Sequence, residues 1–97
     1  MGITRTLSRL EVAEFLVGLL LDIGKIPRER ITERATLDGD LRMESVAFIE
    51  IQVATEDRFD IEIDLIEVVG LNEFGAIIDY VHALARVAAA SQRAVND

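Results

Sequence analysis

Leu41-Arg42-Met43-Glu44-Ser45-Val46-Ala47-Phe48-Ile49-Glu50-Ile51 sets a hydroxyl directly after a carboxylate, just ahead of a run with helical spacing. Val46, Ile49, Val53 and Phe59 fall near one face of that run, while Glu50, Gln52 and Asp57 fall elsewhere. The pattern predicts a helix from Ser45 to about Arg58. A serine at a helix start has two readings. It can be an ordinary N-cap, its oxygen accepting from the first backbone N–H groups. It can also be a place where a phosphate is attached, because those N–H groups and the helix dipole favour negative charge. Local sequence leaves both open.

Working outward from this stretch, the rest of the chain also reads as helices. Ser8-Arg9-Leu10-Glu11 has capping-box spacing, and Leu10, Ala13, Leu16, Leu20 and Ile23 follow at helical intervals. Gly24 is suited to a positive-φ helix terminus, and Pro27 prevents continuation. Residues 24–43 form a long connection with a helical turn expected near residues 28–31. Ile26, Ile31 and Leu37 are its expected anchors, since a connection of this length in a small domain is usually pinned or functional. Asp60-Ile61-Glu62-Ile63-Asp64 alternates like a strand but has no second strand to pair with, so an extended connector is expected. Asp64 can cap a short third helix ending at Gly70. Asn72 can cap a fourth, built on Phe74, Ile77, Ile78, Val81 and Leu84 and extended by the alanine-rich residues 87–94. The expectation is an all-α, small four-helix bundle: three main helices, a short third helix and a long first loop. It is a single domain over residues 1–97, with a core of about 8–86 and a helix extension or frayed tail at 87–97.

Composition narrows the function. Ninety-seven residues, 51% of them apolar, support one modest core and no deep enzyme cleft. Without cysteine there is no disulfide, thiolate metal site or thiol nucleophile, so any thiol chemistry must come from a cofactor. Net charge is −8, and it is localised: residues 36–79 hold 12 acids and 2 bases. Such a surface repels nucleic acid and attracts basic partner proteins. It can also be read simply as a solvated face. Phe15-Leu16-Val17-Gly18-Leu19-Leu20-Leu21 is too short for a membrane span and too interrupted by Glu11, Glu14 and Asp22 for a signal peptide. A core helix is expected there, with no membrane insertion. Met1 to Thr6 match a myristoylation pattern, which is one short motif without support elsewhere. Asp38-Gly39-Asp40 fails as a calcium loop, with glycine at the second position and no glutamate at the twelfth. Neither histidine nor lysine stands near Ser45 to serve as its base, and the single histidine is His82, inside the fourth helix. The carboxylates have no apolar pocket to separate their pKa values, so no catalytic pair is expected.

With the whole register in view, the chain resembles the acyl carrier proteins. In that family Asp-Ser-Leu opens the second helix; here Glu44-Ser45-Val46 stands in its place. The family's V-E-L step is matched by Ile49-Glu50-Ile51, its acidic close and phenylalanine by Glu56-Asp57-Arg58-Phe59, its E-I step by Glu62-Ile63, and its A-I-D-Y-I by Ile77-Ile78-Asp79-Tyr80-Val81. Upstream, Ala35-Thr36-Leu37 and Asp40-Leu41 resemble the family's loop, so the likeness spans residues 8–84. Thr55 and Phe48 depart from it: the family prefers a large apolar residue at the first position and often a polar one at the second.

The resemblance implies a carrier, not an enzyme. Ser45 would hold a 4′-phosphopantetheine arm derived from coenzyme A, with Glu44, the counterpart of the family's aspartate, assisting the modification. The pendant thiol would carry acyl groups as thioesters in a specialised fatty-acid, lipid or polyketide pathway, partly sheltered between helices two and three by Val46, Ile49, Val53, Phe59, Ile61 and Ile66. Glu50, Glu56, Asp57, Phe48 and Val46 would contact partners: a phosphopantetheinyl transferase and acyl-transferring enzymes with basic docking surfaces. A cytoplasmic monomer without a bound metal is expected. A peptidyl or aminoacyl carrier, and a helical adaptor that has lost the arm, are the alternatives.

Overall fold

In a computed structural model, which describes residues 7–95 and side chains through residue 91, the chain forms α1 (Arg9–Asp22), a 3₁₀ turn (Arg28–Arg30), α2 (Ser45–Phe59), α3 (Leu65–Leu71) and α4 (Phe74–Val95). The order and number match the sequence expectation. The myristoylation pattern at residues 1–6 and the last two residues of the expected tail lie outside the described residues. No helix among the described residues is long and apolar enough to cross a membrane.

The start of α1 is built as its sequence predicts. The Ser8 hydroxyl accepts from the Glu11 N–H, and the Glu11 carboxylate accepts from the Ser8 N–H at 3.0 Å. Its buried stripe is Val12, Leu16 and Leu20, so the face is rotated from the expected one, and Leu10 is exposed. At the other end, Lys25 rather than Gly24 takes the left-handed conformation, at φ 57°. Gly24 is needed for a different reason: a Cβ there would sit 2.8 Å from the Leu20 carbonyl oxygen.

Helix α1 packs on α4 and α2, and α3 packs on α4. Phe74, Ile77, Ile78, Val81 and Ala85 of α4 meet Val12, Leu16 and Leu20 of α1 and Ile51 and Phe59 of α2 in one core. Phe15 and Phe59 meet edge to face at 5.4 Å, and the Arg58 guanidinium lies 5.1 Å from the Phe59 ring centre.

Helix α2 corrects the expected register. Its core face is Ile51, Thr55 and Phe59, with Phe48 half-buried. Val46, Ile49 and Val53, expected inside, are 65%, 52% and 49% exposed. The helix carries apolar residues on two sides, and only one side can be buried. Glu50 and Asp57, expected on another face, in fact share the stripe of Val46 and Val53 at helical spacing, so burying that side would have desolvated two carboxylates.

Residues 23–44 are pinned as expected, but chiefly by other residues. Ile26 is buried, yet the deepest anchors are Ala35 and Leu41, each 1% exposed. Hydrogen bonds tie the loop to the α3–α4 junction: Phe74 N–H to Ala35 O and Gly75 N–H to Glu33 O, both 2.8 Å, with Leu37 N–H to Asn72 O at 2.9 Å. Arg9 reinforces this side, donating to both Glu33 carboxylate oxygens at 2.8 and 2.9 Å and also to Asp79. Asn72 does not cap α4. It ends α3 at φ 64°, one residue past Leu71 rather than at Gly70, and its side-chain oxygen accepts from Leu37 N–H. Asp60 ends α2 in the left-handed conformation at φ 57°, and residues 61–64 then form a connector that pairs with no strand among the described residues. Ile61 and Ile63 turn inward while Asp60, Glu62 and Asp64 face water, which explains the alternation. Asp64 caps α3, its carboxylate accepting from Ile66 N–H at 2.9 Å.

Candidate functional site

The loop's anchors determine what happens at residue 45. Leu41 is held in the core, and its N–H donates to Thr36 O at 2.9 Å. Arg42 and Glu44 then run outward over a half-buried Met43. Glu44, in an extended conformation, is the N-cap residue of α2, but its side chain makes no capping hydrogen bond. Ser45 is therefore the first helical residue and not the cap, which removes the ordinary N-cap reading of its hydroxyl. Ser45 is exposed, and its hydroxyl makes no hydrogen bond among the described residues. The opening turn of α2 contains no acidic residue beyond the cap position. An oxyanion attached to Ser45 would meet unpaired backbone N–H groups at the positive end of a 15-residue helix.

Among the described residues no base is hydrogen-bonded to this hydroxyl. The one histidine, His82, is hydrogen-bonded to the Leu7 carbonyl at 3.0 Å. No cluster of potential metal ligands occurs among the described residues.

Beyond Ser45, α2 presents an exposed stripe of Val46, Ile49, Glu50, Val53 and Asp57, apolar and acidic in alternation. Glu50 and Asp57 are both exposed on this stripe. Glu56 is otherwise engaged: its carboxylate accepts from the Ile63 N–H at 2.8 Å and from the Gln52 amide at 3.4 Å, holding the connector against α2. Ile49 and Val53 read as inward-facing from hydrophobicity alone, but their acidic neighbours on the same stripe carry the signal that this side faces outward.

The expected apolar shelter is differently lined. Val46, Ile49 and Val53 face solvent, and Ile66 is 84% exposed, so of the six expected residues only Phe59 and Ile61 face inward. Two small cavities do lie inside the bundle, each of about 50 Å³. Leu16, Phe48, Ile51, Val68 and Ile77 line both. The second also touches Thr55, whose buried hydroxyl donates to the Ile51 carbonyl at 2.7 Å. Outside them an open groove of about 410 Å³ runs between the loop and the start of α2, bounded by Leu37, Asp38, Leu41, Arg42, Met43 and Phe48.

Comparison with known proteins adds an independent line. Residues 14–81 match the family model described as the phosphopantetheine attachment site. The chain is 30% identical over 75 residues to the acyl carrier protein of Acidothermus cellulolyticus, covering 77% of this chain and 89% of that one. It is 31% identical over 86 residues to the acyl carrier protein of Saccharopolyspora erythraea, covering 88% and 90%. To the meromycolate extension acyl carrier protein of Mycolicibacterium aurum it is 26% identical over 77 residues, 79% of each chain.

Proposed function

Because this chain belongs to the acyl carrier protein family, whose members hold a phosphopantetheine group, we propose that Ser45 is the residue that carries the arm. The observation that carries this reading is the position of Ser45: exposed, first in α2, and with a hydroxyl free of hydrogen bonds among the described residues. The bound group supplies a thiol, which the cysteine-free chain lacks, and this thiol holds acyl groups as thioesters.

The chain's own residues contribute presentation. Leu41 fixes the loop, Glu44 holds the backbone extended ahead of the helix, and the first N–H groups of α2 favour the phosphodiester charge. Glu44 places a carboxylate next to the hydroxyl, suited to a cation brought by a phosphopantetheinyl transferase. Glu50 and Asp57, with Val46 and Ile49 between them, form the docking stripe for that transferase and for acyl-transferring enzymes with basic surfaces. Exposed ion pairs of this kind contribute about 0–1 kcal/mol each, which suits brief encounters. Phe48 turns toward the core instead and touches partners at most along its exposed edge. On this reading the carrier unit is residues 8–86, acts as a monomer without catalysis of its own, and works in the cytoplasm, where coenzyme A is available. Likeness to the meromycolate extension carriers favours a specialised lipid pathway.

The test is intact mass after incubation with coenzyme A and a broad-specificity transferase. The protein should gain one phosphopantetheine, and Ser45→Ala, folded by circular dichroism, should gain none. Absence of any gain, or a gain that survives the substitution, refutes the assignment.

A further inference from the structure

An acyl chain tethered at Ser45 is apolar, and the nearest apolar space is inside the bundle. Phe48 stands three residues beyond Ser45, on the same flank by helical spacing. Its side chain lines the open outer groove and both internal cavities. It is the one side chain common to all three, while Leu37, Leu41 and Met43 also border the groove and the first cavity. Each cavity, at about 50 Å³, is small for cargo: a cavity of about 150 Å³ is what a six-carbon ring fills, so about two carbons fit in each. Close-packed interiors do not stretch to accept more without displacing a side chain.

We propose that Phe48 is a specificity-determining residue that closes the core to cargo, so that acyl chains longer than about two carbons ride outside the bundle. The inference rests on attachment at Ser45. It follows that this carrier favours short acyl groups, and that a longer chain meets solvent or a partner enzyme's surface instead of a private pocket. Removing the Phe48 ring would join the two cavities to the groove and add room of about 150 Å³, enough with the existing space for roughly ten carbons.

The experiment uses the whole protein loaded with an octanoyl-phosphopantetheine arm from octanoyl coenzyme A, with loading verified by mass. Methyl resonances of Ile51, Val68 and Ile77 are compared between unloaded-arm and octanoyl forms, and hydroxylamine cleavage of the thioester is timed against free octanoyl-pantetheine. Wild type should show unchanged core methyls and cleavage within about twofold of the free thioester. In Phe48→Ala, all three methyls should shift on loading. Cleavage should slow by tenfold or more, since each sheltered methylene favours the buried state by about fourfold. Phe48→Leu, which keeps most of the core packing, serves in its place if the alanine variant does not fold, with a smaller change in the same direction. Shifted core methyls in loaded wild type, or a folded variant that shelters nothing, overturns the proposal. Failure to acquire an arm at all overturns the Ser45 assignment instead, and takes this inference with it.

Discussion

Thr55 offers a quantitative test of the core as described. It is 1% exposed in apolar surroundings, where its hydroxyl donates to the Ile51 carbonyl at 2.7 Å, and it borders a cavity of about 50 Å³. Thr55→Leu extends an apolar side chain into that space. At about 24 cal/mol per Å³, filling 50 Å³ is worth roughly 1.2 kcal/mol. The lost hydrogen bond costs about 1 kcal/mol net. Releasing a hydroxyl from an apolar setting returns about the same. Exchanging a β-branched residue for leucine in a helix adds a few tenths. The net is about 1–1.5 kcal/mol of stabilisation, and for a domain of this size Tm rises by about 4–10 °C. Thermal unfolding followed by circular dichroism, with both proteins in the same arm-free state, measures it directly. A Tm equal to or below wild type would refute the reasoning, because overpacking costs about 1–3 kcal/mol where the space is not really open to the new side chain.

Other consequences concern the surface. Glu50→Lys and Asp57→Lys should each weaken binding to a basic partner by about fivefold, mainly through slower association, and wild-type affinity should fall as salt rises; salt-independent binding, measured by surface plasmon resonance, would contradict an electrostatic stripe. Glu44→Asp with Val46→Leu should raise the initial rate of arm transfer by a transferase suited to Asp-Ser-Leu carriers, because a misplacement of about 1 Å can cost on the order of a hundredfold; equal rates would show that the longer carboxylate is neutral. The Glu33 carboxyl is held below the usual carboxylate range by hydrogen bonds from Arg9, partly opposed by desolvation. Its contribution to stability is thus fully present above the unfolded carboxylate pKa of about 4.3 and is lost as pH falls through the depressed folded value. Glu33→Gln should therefore lower Tm at pH 7 by more than at pH 3, and a difference that does not change with pH would contradict the pairing.

Much of this architecture was legible because its signals are local. The Ser8–Glu11 capping box, the Asp64 cap and the alternation of Ile61 and Ile63 each declare a backbone conformation within a few residues, and each occurs in the structure. What misled was a choice between two apolar sides of one helix. Val46, Ile49 and Val53 are as hydrophobic as Ile51 and Phe59, and periodicity alone cannot say which set is buried. The acids interleaved with the first set decide it, through the cost of desolvating them. The non-local contacts left no local mark: Arg9 reaching Glu33 and Asp79, and Asn72 holding Leu37, join residues 24 to 70 positions apart. The role of Gly24 was hidden for a different reason: what excludes a side chain there is the Leu20 carbonyl of the preceding turn, a backbone contact that residue type does not reveal. At the site, residue type and order singled out Ser45, but its place inside the helix rather than at its cap depends on the extended backbone of Glu44, which no local sequence signal declares.

The central claim is that one particular hydroxyl carries the arm, and trypsin isolates it well. Cleavage after Arg42 and Arg58 releases the peptide from Met43 to Arg58, in which Ser45 and Thr55 are the only hydroxyl-bearing residues. Fragmentation of this peptide from transferase-treated protein should place the whole mass of one phosphopantetheine on Ser45, with Thr55, buried in the core, carrying none. An unmodified peptide from protein that is otherwise folded, or an arm located at any other residue, would contradict the account.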